Sequence, residues 1–309
     1  MGTITKTPGP YDPCYCQSGS KYKYCHYQLD RSSGTERFNI SLQMYLNRWK
    51  TNAENFRKQN CYAWMTSQIQ PYQPKQILDV GCGDGAGIIS LVTSLKDSRI
   101  LSLDDNCECL NLAKERLVST GFKPDLINRF SVSTDEKKHR ITPLKNKLRF
   151  ENRITLIEGD VLWDDELLNF LPSLSAFDAI TVWLIGTYDI KLECANISSY
   201  KAFSEIGKYR RLVHQRVYQL GDKILKSGGL IQIVERGIAT DKVKLKNLTM
   251  DEHSNLSAGT SLKIQQFKIQ DYTEAASTTR ITMENSLPEN SVVNNLTSLA
   301  LTSVVSIKN

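Results

Sequence analysis

Ile77-Leu78-Asp79-Val80-Gly81-Cys82-Gly83-Asp84-Gly85-Ala86-Gly87 is the stretch whose reading decides the fold. A short apolar run carrying an acid meets alternate glycines and then the apolar Ile88-Ile89-Ser90-Leu91-Val92. That order predicts a buried strand, a tight turn and a helix start. Gly81, Gly83 and Gly85 lack a Cβ and reach positive φ, so the backbone can approach a ligand that a side chain would repel. Amides at the helix start then face whatever negative group lies there. Such a turn handles nucleotides, but it also serves dinucleotide enzymes or simply the close packing of a strand on a helix.

Working outward, Ile100-Leu101-Ser102-Leu103-Asp104 is a second apolar run ending in an acid. It falls about twenty residues on, where a Rossmann-like sheet holds ribose hydroxyls. Leu156-Ile157-Glu158-Gly159-Asp160-Val161 is a third run with an acid at its end, Phe177 to Trp183 a fourth strand, and Ile231 to Glu235 a fifth. In this order the five blocks resemble the class I S-adenosylmethionine-dependent methyltransferases. The third glycine comes earlier than in a hydride-transfer fingerprint, which weighs against a nucleotide-linked oxidoreductase.

The resemblance implies an α/β fold: a Rossmann-like doubly wound sheet, mostly parallel with an antiparallel last strand. It implies S-adenosyl-L-methionine as cofactor, with Asp79, Gly81, Cys82, Gly83, Gly85, Asp104, Asp105, Asp160, Val161 and Trp183 as its contacts. In the family, the glycines pass under the methionine part. An acid matching Asp104 grips the ribose, and one matching Asp160 reads the adenine amino group. After the fourth strand the chain reads Leu184-Ile185-Gly186-Thr187-Tyr188-Asp189. The Asn/Asp-Pro-Pro-aromatic signature of adenine and glutamine N-methylation is missing there. O-, other N-, C- and carboxyl methylation stay open, and no catalytic residue is singled out. Tyr188 and Asp189 are candidates to orient or deprotonate a nucleophile, or plain loop residues. Glu235 is a third candidate, and His214 the histidine best placed to face the cleft.

The second informative stretch is Asp12-Pro13-Cys14-Tyr15-Cys16-Gln17-Ser18-Gly19-Ser20-Lys21-Tyr22-Lys23-Tyr24-Cys25-His26. Cys14, Cys16, Cys25 and His26 supply three thiolates and an imidazole, a full tetrahedral set for structural Zn2+. So short a segment has almost no apolar core, so the metal would have to supply its folding energy. The stretch resembles the SEC-C motif, a small zinc knuckle, departing from it at Gln17 and Pro10-Tyr11. That resemblance implies docking to a ribosome, an RNA or a protein, with Lys21, Lys23, Tyr22 and Tyr24 offering cationic and stacking groups.

The chain has 309 residues, 40% hydrophobic and 23% charged, enough for one large domain and an appendage. We read residues 1–30 as the knuckle, 31–74 as a linker and N-terminal helices, and 75–309 as the methyltransferase domain. No apolar run reaches membrane-spanning length and the first thirty residues are polar, so a cytoplasmic protein without a membrane partner is expected. Eight cysteines without a secretory segment point to thiols and metal rather than disulfides. Cys107 and Cys109 read as small apolar fillers. A net charge of +6 permits a nucleic-acid partner without demanding one.

Leu29 to Thr35 reads as a linker. Ile40 to Gln70 reads as two helices covering the sheet, with the family precedent that such helices wall the substrate site. Lys123 to Arg153, rich in Arg129, Lys137, Lys138, His139, Arg140, Lys145, Lys147 and Arg149, reads as a solvated surface or a phosphate-contacting flap. Lys191 to Lys223 mixes aromatic and basic residues, which suits a plain amphipathic helix, or a surface for nucleic acid or an acidic protein. Leu262 to Ile269 and Leu299 to Ile307 read as closing strands, with a polar loop over Thr273 to Thr297. The expected activity is transfer of a methyl group to an acceptor that is an RNA, a ribosome-associated protein or a small molecule. The alternative is a non-catalytic adaptor docking through its knuckle.

Overall fold

The computed structural model describes residues 8–16, 18–135, 138–144, 148–197, 206–276 and 298–309. Most of the polar stretch from Thr273 to Thr297, together with Gln17, Lys137, Lys145, Lys147, Tyr200 and Phe203, lies outside the described residues.

Eight strands form one sheet. They are β1 (Gln76–Val80), β2 (Arg99–Asp104), β3 (Asp125–Ile127), β6 (Ile154–Glu158), β7 (Phe177–Trp183), β8 (Leu225–Ile238), β9 (Leu262–Tyr272) and β10 (Leu299–Lys308), in the order β3-β6-β2-β1-β7-β8-β10-β9. From β3 to β8 every pairing is parallel, and β10 runs antiparallel to both β8 and β9. This is the mostly parallel, Rossmann-like doubly wound sheet that the five apolar blocks predict. All five residues of β1 are buried, as a central parallel strand covered on both faces requires. Asp79 within it accepts hydrogen bonds from Ser102 Oγ at 2.6 Å and Thr181 Oγ1 at 2.8 Å. Its carboxylate therefore ties β1 to both neighbours inside the sheet, and burial raises its pKa.

Helices α2 (Gly34–Lys58), α3 (Cys61–Ile69), α4 (Ala86–Ser94) and α5 (Cys107–Ser119) cover one face around Met65, Ile88 and Leu110. Helices α6 (Asp165–Phe170), α7 (Ile206–Ile224) and α8 (Lys242–Leu256) cover the other around Leu167, Val217 and Leu256. Cys109 is buried as a filler should be. Among the described residues no helix is long and apolar enough to cross a membrane.

Two expectations are corrected. The polar stretch at Leu29 to Thr35 is not a free linker: α1 (Tyr27–Arg31) runs through it and buries Leu29 against Phe38 and Leu42. The basic run from Lys123 to Arg153 is not simply a solvated face. It holds β3 and a hairpin, β4 (Phe130–Thr134) with β5 (His139–Pro143), that packs on α2. Arg129 is fully buried there, with Nη1 donating to Asp164 at 2.6 Å and Nη2 to Glu166 at 2.8 Å. A buried guanidinium persists only when paired in this way. His139 is buried against the Phe38 ring at 4.9 Å, and burial lowers its pKa to about 4, so it is a neutral core group.

Candidate functional site

After β1 the chain passes to β2 on one side and later returns to β7 on the other. Between β1 and β7 lies the topological switch point, beyond whose carboxyl edge doubly wound sheets hold ligands. A crevice of about 590 Å³, partly open to solvent, occupies that edge. Its floor is Val80, Gly81 and Gly83 at the end of β1, Asp104 and Asp105 at the end of β2, Asp160 and Val161 after β6, and Trp183 to Tyr188 at the end of β7. Tyr45 and Trp49 of α2 close it from one side, Tyr209 and Val213 of α7 from the other. The sequence leaves α2 and α3 as a cover on the sheet or, by resemblance, a wall of the substrate site. The α2 stripe Leu42, Tyr45, Leu46, Trp49 carries the helical period but no sign of which residues reach a ligand site.

Gly81 (φ +87°) and Gly83 (φ +52°) adopt the left-handed backbone expected of the turn. A Cβ on Gly81 would fall 2.6 Å from Ile185 Cδ1, and one on Gly83 would collide with Trp49 Nε1. Ile185 and Trp49 thus rest directly on the bare backbone. Gly85 behaves differently: a Cβ there would lie 2.9 Å from the Ala113 backbone, so its bareness serves the packing of α5 and not the crevice. Cys82 does not line the crevice; it is buried with its thiol on the Gly83 carbonyl and beside Asp104. Asp84 between them is clamped by Arg57 and Arg116, each at 2.9 Å, which holds the turn from behind.

The crevice acids are positioned by backbone amides. Asp104 Oδ2 accepts from Gly83 N and Oδ1 from Asn106 N, both at 3.0 Å. The Cys82 thiol also hydrogen-bonds this carboxylate, so of about four acceptor positions roughly one is left for a ligand hydroxyl. Burial, then the neighbouring Asp105 carboxylate, raises Asp104 to about 7. Asp160 Oδ1 accepts from Leu162 N at 2.8 Å, and Oδ2 from Lys191 Nζ at 2.7 Å. Lys191 also pairs with Asp105 and is completely buried, between the rings of Tyr188 and Tyr209. Nothing in its local sequence marks it, because its partners come from β2 and β6.

Two buried polar atoms of the crevice lining lack a hydrogen-bond partner: Trp49 Nε1 and Thr187 Oγ1. Unmet polar groups in a cleft are what a polar ligand would satisfy. Three carboxylates against the single ammonium of Lys191 leave the wall net negative, which suits a cationic sulfonium nucleoside and disfavours a pyrophosphate. Chemically, then, the lining fits S-adenosylmethionine. Trp49 and Ile185 fill the space over the glycines, so a methionine moiety passing there must displace those two side chains.

Of the candidate catalytic groups, only Tyr188 lines the crevice. It is buried, burial keeps its hydroxyl protonated, and that hydroxyl faces the buried His139 Nε2 at 3.5 Å, so it is not placed to act as a base. Asp189 turns the other way, accepting from His26 Nε2 at 3.2 Å and from Arg48 Nη1 at 3.0 Å. The Arg48 guanidinium and the His26 imidazole on that side decide its direction. Glu235 of β8 and His214 of α7 lie together, with the Glu235 carboxylate on Arg210 Nε at 2.8 Å, and neither lines the crevice.

At the N-terminal end, Cys14, Cys16, Cys25 and His26 place their ligating atoms within 4.8 Å of one another. Cys16 and Cys25 Sγ are 3.4 Å apart, and His26 Nδ1 is 3.2 Å from Cys14 Sγ. A tetrahedral ion with bonds of about 2.0–2.3 Å spans edges of roughly 3.3–3.8 Å, so the cluster has the size of a zinc shell. The free His26 Nε2 faces Asp189, the carboxylate–imidazole pairing that orients a metal-bound histidine.

No protein-family model matches the chain, and no curated protein matches it. Among solved structures it is similar to TrmN from Thermus thermophilus, at 11% identity and a TM-score of 0.43, over 80% of this chain and 48% of that one. It therefore spans about half the length of the Thermus protein. A putative O-methyltransferase from Klebsiella pneumoniae matches at 15% identity and a TM-score of 0.42, over 81% of this chain and 80% of that one. An O-methyltransferase from Bacillus cereus in complex with SAH matches at 10% identity and a TM-score of 0.41, over 80% of each chain. Overlaps this loose carry no functional weight, so the crevice has to speak through its own residues.

Proposed function

We propose that this chain is an S-adenosylmethionine-dependent methyltransferase that acts by direct displacement. The observation that carries the reading is the Asp104 carboxylate, fixed by the Gly83 and Asn106 amides beside the bare backbone of Gly81 and Gly83 at the switch point. The cofactor, when bound, supplies an electrophilic sulfonium methyl group. Asp104 would accept a ribose hydroxyl, and Asp160, oriented by Lys191, the adenine amino group. Tyr45, Trp49 and Trp183 exclude water from the reacting end. Orientation and desolvation are then the protein's contribution, and no dedicated base is required.

The acceptor class is read from partners of the site. An RNA or ribosome-associated protein is favoured by the Cys/His cluster beside exposed Tyr11, Tyr15 and Tyr24. Incubating the protein with methyl-labelled cofactor and cell lysate should carry label into an RNA or protein fraction. Label confined to small molecules would remove the macromolecular acceptor while leaving the enzyme reading intact. A second reading, the non-catalytic adaptor, is favoured by one observation: Trp49 and Ile185 occupy the space over the glycines. It predicts no transfer to any fraction.

We further propose that the Cys/His cluster holds one structural zinc. Cys14→Ser is expected to lower the tightly held zinc by about one equivalent per chain, since a thiolate-poor shell binds far more weakly. Elemental analysis of dialysed protein reads this directly, and equal zinc in variant and wild type would remove the metal from the account.

A further inference from the structure

A second group of ligating side chains, apart from both crevice and knuckle, comes together where α7, β8 and α8 meet. We propose that His214, Glu235 and His253 form a further divalent-metal site, suited to a borderline ion of the zinc or ferrous type.

The three residues come from three separate elements, so no local sequence preference explains their meeting. Their ligating atoms all lie within 4.8 Å of one another. His253 Nε2 is 3.2 Å from Glu235 Oε2, close to the edge of roughly 3.3 Å that two bonds of about 2.0 Å to one tetrahedral ion produce. His214 Nδ1 stands 3.8 Å from Glu235 Oε1, beyond hydrogen-bond range but within the reach of a shared ion. The side chains are 2%, 11% and 0% exposed, so the ion would be held out of bulk water.

The outer partners are those a metal-binding histidine needs. The Tyr218 hydroxyl lies 3.0 Å from His253 Nδ1 and 3.2 Å from Ser306 Oγ. Engaging Nδ1 fixes the ring so that Nε2 faces the carboxylate. Two imidazoles and one carboxylate leave a fourth position for water, the donor set of borderline divalent ions rather than of magnesium or calcium. Arg210 Nε sits on Glu235 Oε1 at 2.8 Å, with its side chain 37% exposed. It is the competitor: a cation at the carboxylate that can turn into solvent when the ion enters.

Cobalt(II) is the probe, because thiolate ligands give it an intense near-ultraviolet band that imidazole and carboxylate ligands do not. Full-length wild type, His253→Gln, Glu235→Gln and Arg210→Gln are loaded with cobalt, dialysed and analysed for metal and absorption. The expected result is one cobalt per chain fewer in His253→Gln and Glu235→Gln, with the thiolate band unchanged. Arg210→Gln should hold as much metal as wild type and bind it at least as tightly. Far-ultraviolet circular dichroism and urea unfolding of the same samples report that the variants remain folded. Equal cobalt in wild type and both ligand variants, or metal lost from Arg210→Gln instead, would overturn the site. None of these readouts depends on methyl transfer.

Discussion

Lys191→Met is expected to destabilise the protein by about 3–5 kcal/mol, the usual penalty for stranding a buried charge. Lys191 is wholly buried and is the ammonium that both Asp105 and Asp160 share. A methionine fills its volume but returns neither ion pair, so two carboxylates at the crevice wall lose their counter-charge. Urea unfolding measures the loss. Adding Asp160→Asn to Lys191→Met should recover a large part of it, because one stranded charge is then gone. If the single variant were as stable as wild type, the buried network would not be what holds the 184–197 segment to the sheet.

The second large effect concerns the cofactor. Asp104→Asn should weaken S-adenosylmethionine binding about 100-fold near pH 8, the loss of a charge-assisted hydrogen bond to ribose worth about 2.7 kcal/mol. In the wild type the same carboxylate makes binding pH-dependent. Its pKa lies near 7, far above the ordinary carboxylate value, because of burial and then Asp105. A ribose hydroxyl donates to the ionised form, so affinity is full above that value and falls as pH drops through it. Each unit lower removes about a factor of ten in ionised carboxylate. Calorimetric titrations between pH 5 and 8 should show this slope in wild type and a flat profile in Asp104→Asn.

The sheet was legible because its strands are short apolar runs bounded by glycines and acids. Ile100 to Leu103, Phe177 to Trp183 and Ile231 to Glu235 fall inside β2, β7 and β8 as observed. Asp104 and Asp160 were legible for the same reason: in a parallel sheet, the residue just past a strand faces the crevice edge. Groups whose role depends on a distant partner were not. Asp189 sits beside the crevice loop in sequence, yet its partner His26 is 163 residues away and turns it outward. Arg129 and His139 stand in a basic run that looks solvated, and only the packing of the β4–β5 hairpin on α2 shows them buried. Gly85 has the sequence context of a ligand-contacting glycine, but its neighbour is the Ala113 backbone. A one-dimensional pattern records period and polarity, and these residues are decided by which element arrives from elsewhere.

Equilibrium dialysis of the wild-type chain against labelled S-adenosylmethionine, with NAD+ in a parallel cell, tests the central claim most directly. The crevice chemistry predicts saturable binding of one S-adenosylmethionine per chain, quenching or shifting of Trp49 fluorescence as the indole leaves Gly83, and no comparable uptake of NAD+. No saturable binding of S-adenosylmethionine, or equal binding by Asp104→Asn, would contradict it.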